Sequence, residues 1–199
     1  MRRNIQKSSE CIFESSRDTP RRSPKISPRK QATETISPDQ FKSLMEKNKN
    51  LIILDARFPF EYEQGHIINS INVWNDTTLA QQMKPFDTWC SEENRVVVVY
   101  CEFSKTRGPK IANLLQEMDF IRMESLGLSE LNFPEVYLLE GGFKYFYENV
   151  NELCTGKYIS MRNINSSNIE DLRNYATQIK TRPRCPVFNN SPQITPLYM

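Results

Sequence analysis

The chain has 199 residues, room for one ordinary domain with tails. Its 26 Lys and Arg nearly balance 24 Asp and Glu, so net charge gives no pull toward nucleic acid or a membrane. The longest apolar run, Val96 to Cys101, is too short to span a bilayer; the single His nearly excludes multi-histidine metal sites, and five unpaired-looking Cys argue against a disulfide framework. Met1-Arg2-Arg3 is basic, but no apolar segment follows it, so no secretory signal is expected.

Residues 1–30 are basic and rich in Ser and Pro, with Pro20, Pro24 and Pro28 close together. Such a stretch buries too little apolar area to offset its chain entropy. Residues 1–35 and 183–199 are expected to be disordered, and one folded domain is expected over 36–182. Within it, Ser37-Pro38-Asp39-Gln40 predicts a helix start, with Ser as cap and Gln closing a capping box. Leu51 to Leu54 predicts a short buried strand ending at Asp55, and Ile67 to Val73 contains another. Residues 77–89 are predicted helical. Val96 to Tyr100 is β-branched on both faces, as a central parallel strand should be. Ile111, Ala112, Leu114, Leu115 and Met118 then form a helical stripe. Val136 to Leu139 predicts a further strand, broken at Gly141-Gly142. Ser167-Asn168-Ile169-Glu170 predicts a second capping box opening an amphipathic helix. Strands alternating with helices imply an α/β fold, a parallel central sheet with helices on both faces. Sites in such sheets lie beyond the carboxyl ends of strands, here just after Tyr100.

There the chain reads Cys101-Glu102-Phe103-Ser104-Lys105-Thr106-Arg107-Gly108-Pro109. A loop between a strand end and a helix start can turn successive backbone N–H groups inward and form an anion cradle. The same field lowers a thiol's pKa from ~8.5 by several units, which favours the nucleophilic thiolate. Arg107 offers a planar fork for two phosphate oxygens. Together these groups suit phosphoryl transfer to sulfur. A Cys ending a buried strand can equally be a small core residue.

This loop resembles the signature of the M-phase inducer phosphatases, dual-specificity enzymes that activate cyclin-dependent kinases. Two further blocks resemble the same family: Ile53 to Ile67, reading Asp55-Ala56-Arg57-Phe58-Pro59-Phe60-Glu61-Tyr62 and then Gly65-His66-Ile67, and Phe133 to Phe143 with its Pro134-Glu135 and Gly141-Gly142. The resemblance covers about 36–180 and implies a rhodanese-like fold. It implies that Cys101 is the nucleophile of a phosphocysteine intermediate and that Arg107 binds phosphate. Backbone amides of Glu102, Phe103, Ser104, Lys105, Thr106 and Arg107 would hold the phosphoryl oxygens. Glu102 matches a proposed proton donor, against which stands a solvated loop carboxylate. No cofactor and no metal are implied. Asp55 and His66 read as structural rather than catalytic residues.

The implied substrate is a phosphorylated cyclin-dependent kinase–cyclin complex, with a role in mitotic entry. A nuclear and cytoplasmic monomer is expected, binding neither nucleic acid nor membrane. Thr19, Ser23 and Ser27 each precede Pro and are candidate sites for feedback phosphorylation by the kinase. The match has departures. Tyr100 stands where the family has His, Ala56 where many members have a second Cys, and Thr106 where the loop has Glu. Gln116 and Phe120 stand where human members carry arginines used to dock the kinase. Two other readings stay open: a yeast-type arsenate reductase, and a rhodanese-like binding module with weakened catalysis.

Overall fold

A strand with no charged side chain and apolar residues on both faces belongs in the middle of a covered sheet. Val96–Tyr100 occupies that place in the computed structural model, which describes residues 33–83, 95–161 and 166–180. The elements run β1 (Glu34–Ile36), α1 (Pro38–Lys47), β2 (Leu51–Asp55), α2 (Pro59–Gln64), β3 (Gly65–Ile67), β4 (Ser70–Asn72) and α3 (Asp76–Met83). They continue with β5 (Val96–Tyr100), α4 (Arg107–Leu126), β6 (Glu135–Leu139), α5 (Gly142–Asn149), β7 (Cys154–Gly156) and α6 (Ser166–Lys180). Five strands form one parallel sheet in the order β1-β6-β5-β2-β4, while β3 and β7 pair antiparallel beside it. The expected α/β architecture is therefore present.

Strand alternation splits the core into two layers. Ile52, Leu54, Val97, Val99, Val136 and Leu138 pack against Leu79 of α3 and Ile111, Ala112, Leu115 and Met118 of α4. Ile53, Val98, Tyr100 and Leu139 face the other way, onto Phe41 of α1 and Phe143 and Phe146 of α5. Cys101 belongs to the first layer, whereas Cys154 lies against the second. The capping box at α1 forms as the sequence predicts. Gln40 N donates to Ser37 Oγ at 3.3 Å, and Ser37 N donates to Gln40 Oε1 at 2.8 Å.

Several boundaries differ from expectation. β1 begins at Glu34, inside the stretch expected to be tail. Three residues on a sheet edge carry almost no periodic signal; β1 is defined by its pairing with Tyr137–Leu139. The strand expected within 67–73 is present as β4, set off from β3 where Asn69 turns through a φ of 63°. Asn is among the few non-glycine residues that take that conformation readily. α6 starts at Ser166, so Ser167 lies inside the helix rather than capping it. Residues 84–89 of the helix predicted over 77–89, and residues 1–32 and 183–199 with Thr19, Ser23 and Ser27 among them, lie outside the described residues. Among the described residues, no helix is long and apolar enough to cross a membrane.

The amino end of α5 is clamped under the loop that follows β5. Phe143 N donates to Cys101 O at 2.8 Å and Lys144 N to Glu102 O at 3.1 Å. This approach requires Gly at 142, which has a φ of 66° and where a Cβ would collide with both carbonyl oxygens. Gly142→Ala should cost about 1–3 kcal/mol from backbone strain, with the clash added; urea unfolding that shows less than half a kcal/mol would contradict the clamp. Burial raises the Cys154 thiol to about 12. Its alkylation by iodoacetamide should stay slow through pH 10 and accelerate only as pH approaches that value, read by mass-spectrometric mapping.

Candidate active site

The site is assembled at the carboxyl ends of β2 and β5, which are paired so that Asp55 lies opposite Tyr100. Asp55 is fully buried and is taken up by Arg57, itself 1% exposed. Arg57 Nη2 reaches Asp55 Oδ2 at 2.6 Å, its Nε bonds both oxygens at 3.0 and 3.1 Å, and its backbone N donates to Oδ1 at 2.9 Å. Nη2 also donates to Gly65 O at 2.7 Å. The guanidinium carbon lies 3.9 Å from the Phe143 ring centroid and 5.7 Å from that of Tyr100. Burial works against the Arg57 charge, but the Asp55 carboxylate outweighs it and holds Arg57 above its ordinary value. Asp55 thus serves structure, as expected.

Tyr100 fills the position where a His was expected to organise the loop. Its hydroxyl accepts from Ile67 N at 3.2 Å and lies 3.0 Å from Ser70 Oγ, which ties the end of β5 to β3 and β4. Its ring stacks on Phe143, with centroids 6.0 Å apart. Burial, reinforced by the nearby Asp55 charge, pushes this phenol well above its usual range, so it stays protonated. The support that the sequence left in doubt is therefore supplied by an aromatic ring and a hydroxyl. His66 is likewise structural: Nδ1 sits 2.8 Å from Tyr62 O, and the two rings stack at 3.8 Å.

Cys101 leaves β5 buried, beside Ala56, whose N donates to Tyr100 O at 2.7 Å. The carbonyls of Cys101 and Glu102 point onto α5. Each trans peptide plane carries its N–H opposite its C=O, so the amides of Glu102 and Phe103 face away from α5. Ser104 then reverses the chain with a φ of 52°, and its Oγ is buried without a hydrogen-bond partner. Phe103, Lys105 and Thr106 are exposed. Thr106 precedes α4, whose first turn contains Arg107, Gly108 and Pro109. Pro109 fits there because first-turn amides have no partner within the helix.

Arg107 is only partly exposed, and both its terminal nitrogens are engaged by Glu61 of α2. Nη1 bonds Oε2 in a short contact, and Nη2 bonds Oε1 at 3.1 Å. Nη2 is also 3.9 Å from Glu102 Oε2. The guanidinium carbon lies 5.1 Å from the Phe58 ring centroid. Burial opposes the charge, and the Glu61 carboxylate overcomes it, so Arg107 is held above its ordinary value. Glu61 was not singled out from the sequence. Its one local signal is an acid in the first turn of a helix opened by Pro59, where it also accepts from Phe58 N at 3.0 Å.

Glu102 is buried, which rules out the solvated loop carboxylate. Its Oε1 accepts from Tyr158 Oη at 2.8 Å, Ser160 Oγ at 3.3 Å and Met161 N at 3.2 Å. The Tyr158 phenol is pushed up to about 12, by burial first and by the Glu102 carboxylate in addition. Glu102 therefore ties the loop to the segment after β7 through one oxygen and faces Arg107 with the other. The segment Tyr158-Ile159-Ser160-Met161 also resembles the M-phase inducer phosphatases in residue type, but no local pattern signals its contact with Glu102, which lies 56 and 58 positions from Tyr158 and Ser160.

The sequence pattern of the rhodanese-like domain matches residues 37–149. M-phase inducer phosphatase 1-B of Xenopus laevis is 34% identical over 144 residues, which cover 71% of this chain and 25% of that protein. M-phase inducer phosphatase 1 of Homo sapiens is 31% identical over 153 residues, covering 73% of this chain and 28% of that protein. Among solved structures, an As-Sb reductase from Leishmania major is 24% identical with a TM-score of 0.48, covering 73% of this chain and 99% of that one. The matched region spans about a quarter of the length of the M-phase inducer phosphatases it resembles. With its matched segment covering both core layers and the loop after β5, the chain belongs to the rhodanese-like domain family and is similar in sequence to the M-phase inducer phosphatases.

Proposed function

We propose that this chain is a cysteine-dependent phosphatase that acts on phosphotyrosyl and phosphothreonyl protein, with a cyclin-dependent kinase–cyclin complex as substrate. The observation that carries this reading is the pairing of Cys101, at the end of the central strand, with a pre-positioned Arg107 in the first turn of α4. The thiolate of Cys101 attacks phosphorus as the bond to the substrate oxygen breaks, and that oxygen leaves with a proton. The loop amides and Arg107 hold the three phosphoryl oxygens, whose charge grows in the transition state. Water then attacks the phosphocysteine, the sulfur–phosphorus bond breaks, and inorganic phosphate leaves. The names of the sequence relatives, M-phase inducer phosphatases, support a phosphatase acting at the onset of M phase; the kinase as substrate is inferred from the resemblance of the loop and its flanking blocks.

Glu61 acts as a positioning residue in this scheme. A bidentate carboxylate fixes the guanidinium plane before substrate arrives, which lowers the ordering cost at binding. Glu102 is better suited to tethering than to proton donation, since three donors already converge on Oε1.

Purified protein should hydrolyse p-nitrophenyl phosphate, and Cys101→Ser should lower kcat on the order of a thousandfold or more; comparable turnover in the variant would end the phosphocysteine mechanism. Thiol-dependent arsenate reduction without phosphatase activity would favour the reductase reading instead. Glu102→Gln tests the tether. With Glu102 as tether, the variant loses kcat equally for aryl phosphates with good and poor leaving groups. A loss confined to poor leaving groups would identify a proton donor.

A further inference from the structure

Arginine has a long side chain and grips a phosphoryl group well only when its plane is already set. Two neighbours set it here. Glu61 bonds both terminal nitrogens of the Arg107 fork, and the guanidinium carbon lies over the Phe58 ring, 5.1 Å from its centroid. The same Phe58 donates its backbone N–H to Glu61 Oε2, the oxygen that Arg107 Nη1 holds. Phe58 is therefore one of the two groups beside the guanidinium and also bonds the other.

Phe58 itself is half-buried and lies outside the two core layers. It is held by other rings. Phe60 stacks on it at 6.0 Å and Trp74 tilts against it at 6.2 Å. The third ring comes from the far end of the chain: Tyr175 of α6 stacks on Phe58 at 5.5 Å with only 10° between planes, and meets Trp74 at 4.6 Å. Ile169, Glu170, Asp171, Arg173, Asn174 and Thr177 of α6 are exposed, whereas Leu172 and Tyr175 are partly buried. Stacked pairs of this kind contribute on the order of 1 kcal/mol beyond area burial, enough to bias a side chain that has no core to hold it.

We propose that Tyr175 is a positioning residue for Arg107, acting through Phe58, so that docking of α6 sets how well the site grips a phosphoryl group. This rests on the phosphatase reading. It assigns to a helix remote in sequence a part in the site's affinity for oxyanions. When a phosphoryl group arrives, Arg107 must divide its fork between Glu61 and the ligand. A firmly stacked Phe58 keeps the plane in place during that exchange, and a loosened one does not.

The test uses the full chain and two readouts: calorimetric titration with tungstate, and steady-state hydrolysis of p-nitrophenyl phosphate. Tyr175→Ala should weaken tungstate binding about five- to tenfold and raise KM in step, with a smaller change in kcat. Tyr175→Phe keeps the ring and should stay within about twofold of wild type. Tyr175→Leu keeps bulk without a ring and covers the case in which the alanine variant unfolds; it should behave like the alanine variant. In an Arg107→Lys background, whose ammonium has no plane to orient, Tyr175→Ala should add less than about twofold. Unchanged tungstate affinity in folded Tyr175→Ala and Tyr175→Leu, or an undiminished loss in the lysine background, would overturn the proposal while leaving the phosphatase reading intact. A wild-type chain that neither binds tungstate nor turns over substrate would remove both.

Discussion

The ion pair between Asp55 and Arg57 is buried completely, and much of the site's framework is attached to it. Asp55 ends β2 opposite Tyr100, the last residue of β5. Arg57 reaches onward to Gly65 at the start of β3 and lies against the ring of Phe143 in the first turn of α5. That turn in turn holds the carbonyls of Cys101 and Glu102. The net stability from such a pair is small, because desolvating two charges offsets most of their attraction. Removing one partner is a different matter, and costs about 3–5 kcal/mol since a bare charge is left in the interior. The pair is best understood as fixing geometry: it joins two strands, a short ribbon and a helix around the point where the reactive loop begins.

Electrostatics around the loop are closely balanced. Glu61 and Glu102 both address Arg107, and the thiolate required for chemistry would add a third negative group near one cation. The opposing field comes from backbone. α4 presents its amino end to the loop, and α5 spends its own amino end on the loop carbonyls. Two helix starts thus converge on a seven-residue segment, Cys101 to Arg107, that has one fixed positive side chain engaged by acids. On the phosphatase reading, that division of labour would favour a dianionic phosphoryl group, because much of the attraction is directional N–H rather than free charge.

What could be read from the sequence was what is local or strongly periodic. The five-residue run Val96–Tyr100 announces a central strand, Ser37 to Gln40 a helix start, and Cys101 to Arg107 a loop between a strand end and a helix start. What could not be read depends on distant partners. β1 and β7 are three residues each and exist only through pairing. Glu61 becomes informative only when it is seen 46 positions from Arg107 in sequence and yet bonded to it. From the sequence, Tyr100 is only a departure from the His of the family the chain resembles. Its hydroxyl and ring instead bind the strand end to Ile67, Ser70 and Phe143, which no local pattern signals.

The division of the core into two layers also separates the two described cysteines. Cys101 packs toward α4 and Cys154 toward α5, with the sheet as a wall between them. Peroxide that converts Cys101 to a sulfenic acid therefore finds no quenching sulfur at Cys154, and Ala56 offers none beside it. Between these two described cysteines no disulfide can form across the sheet, so neither can rescue the other from oxidation, and any rescue by a diffusible thiol would track the reductant supply of the surroundings.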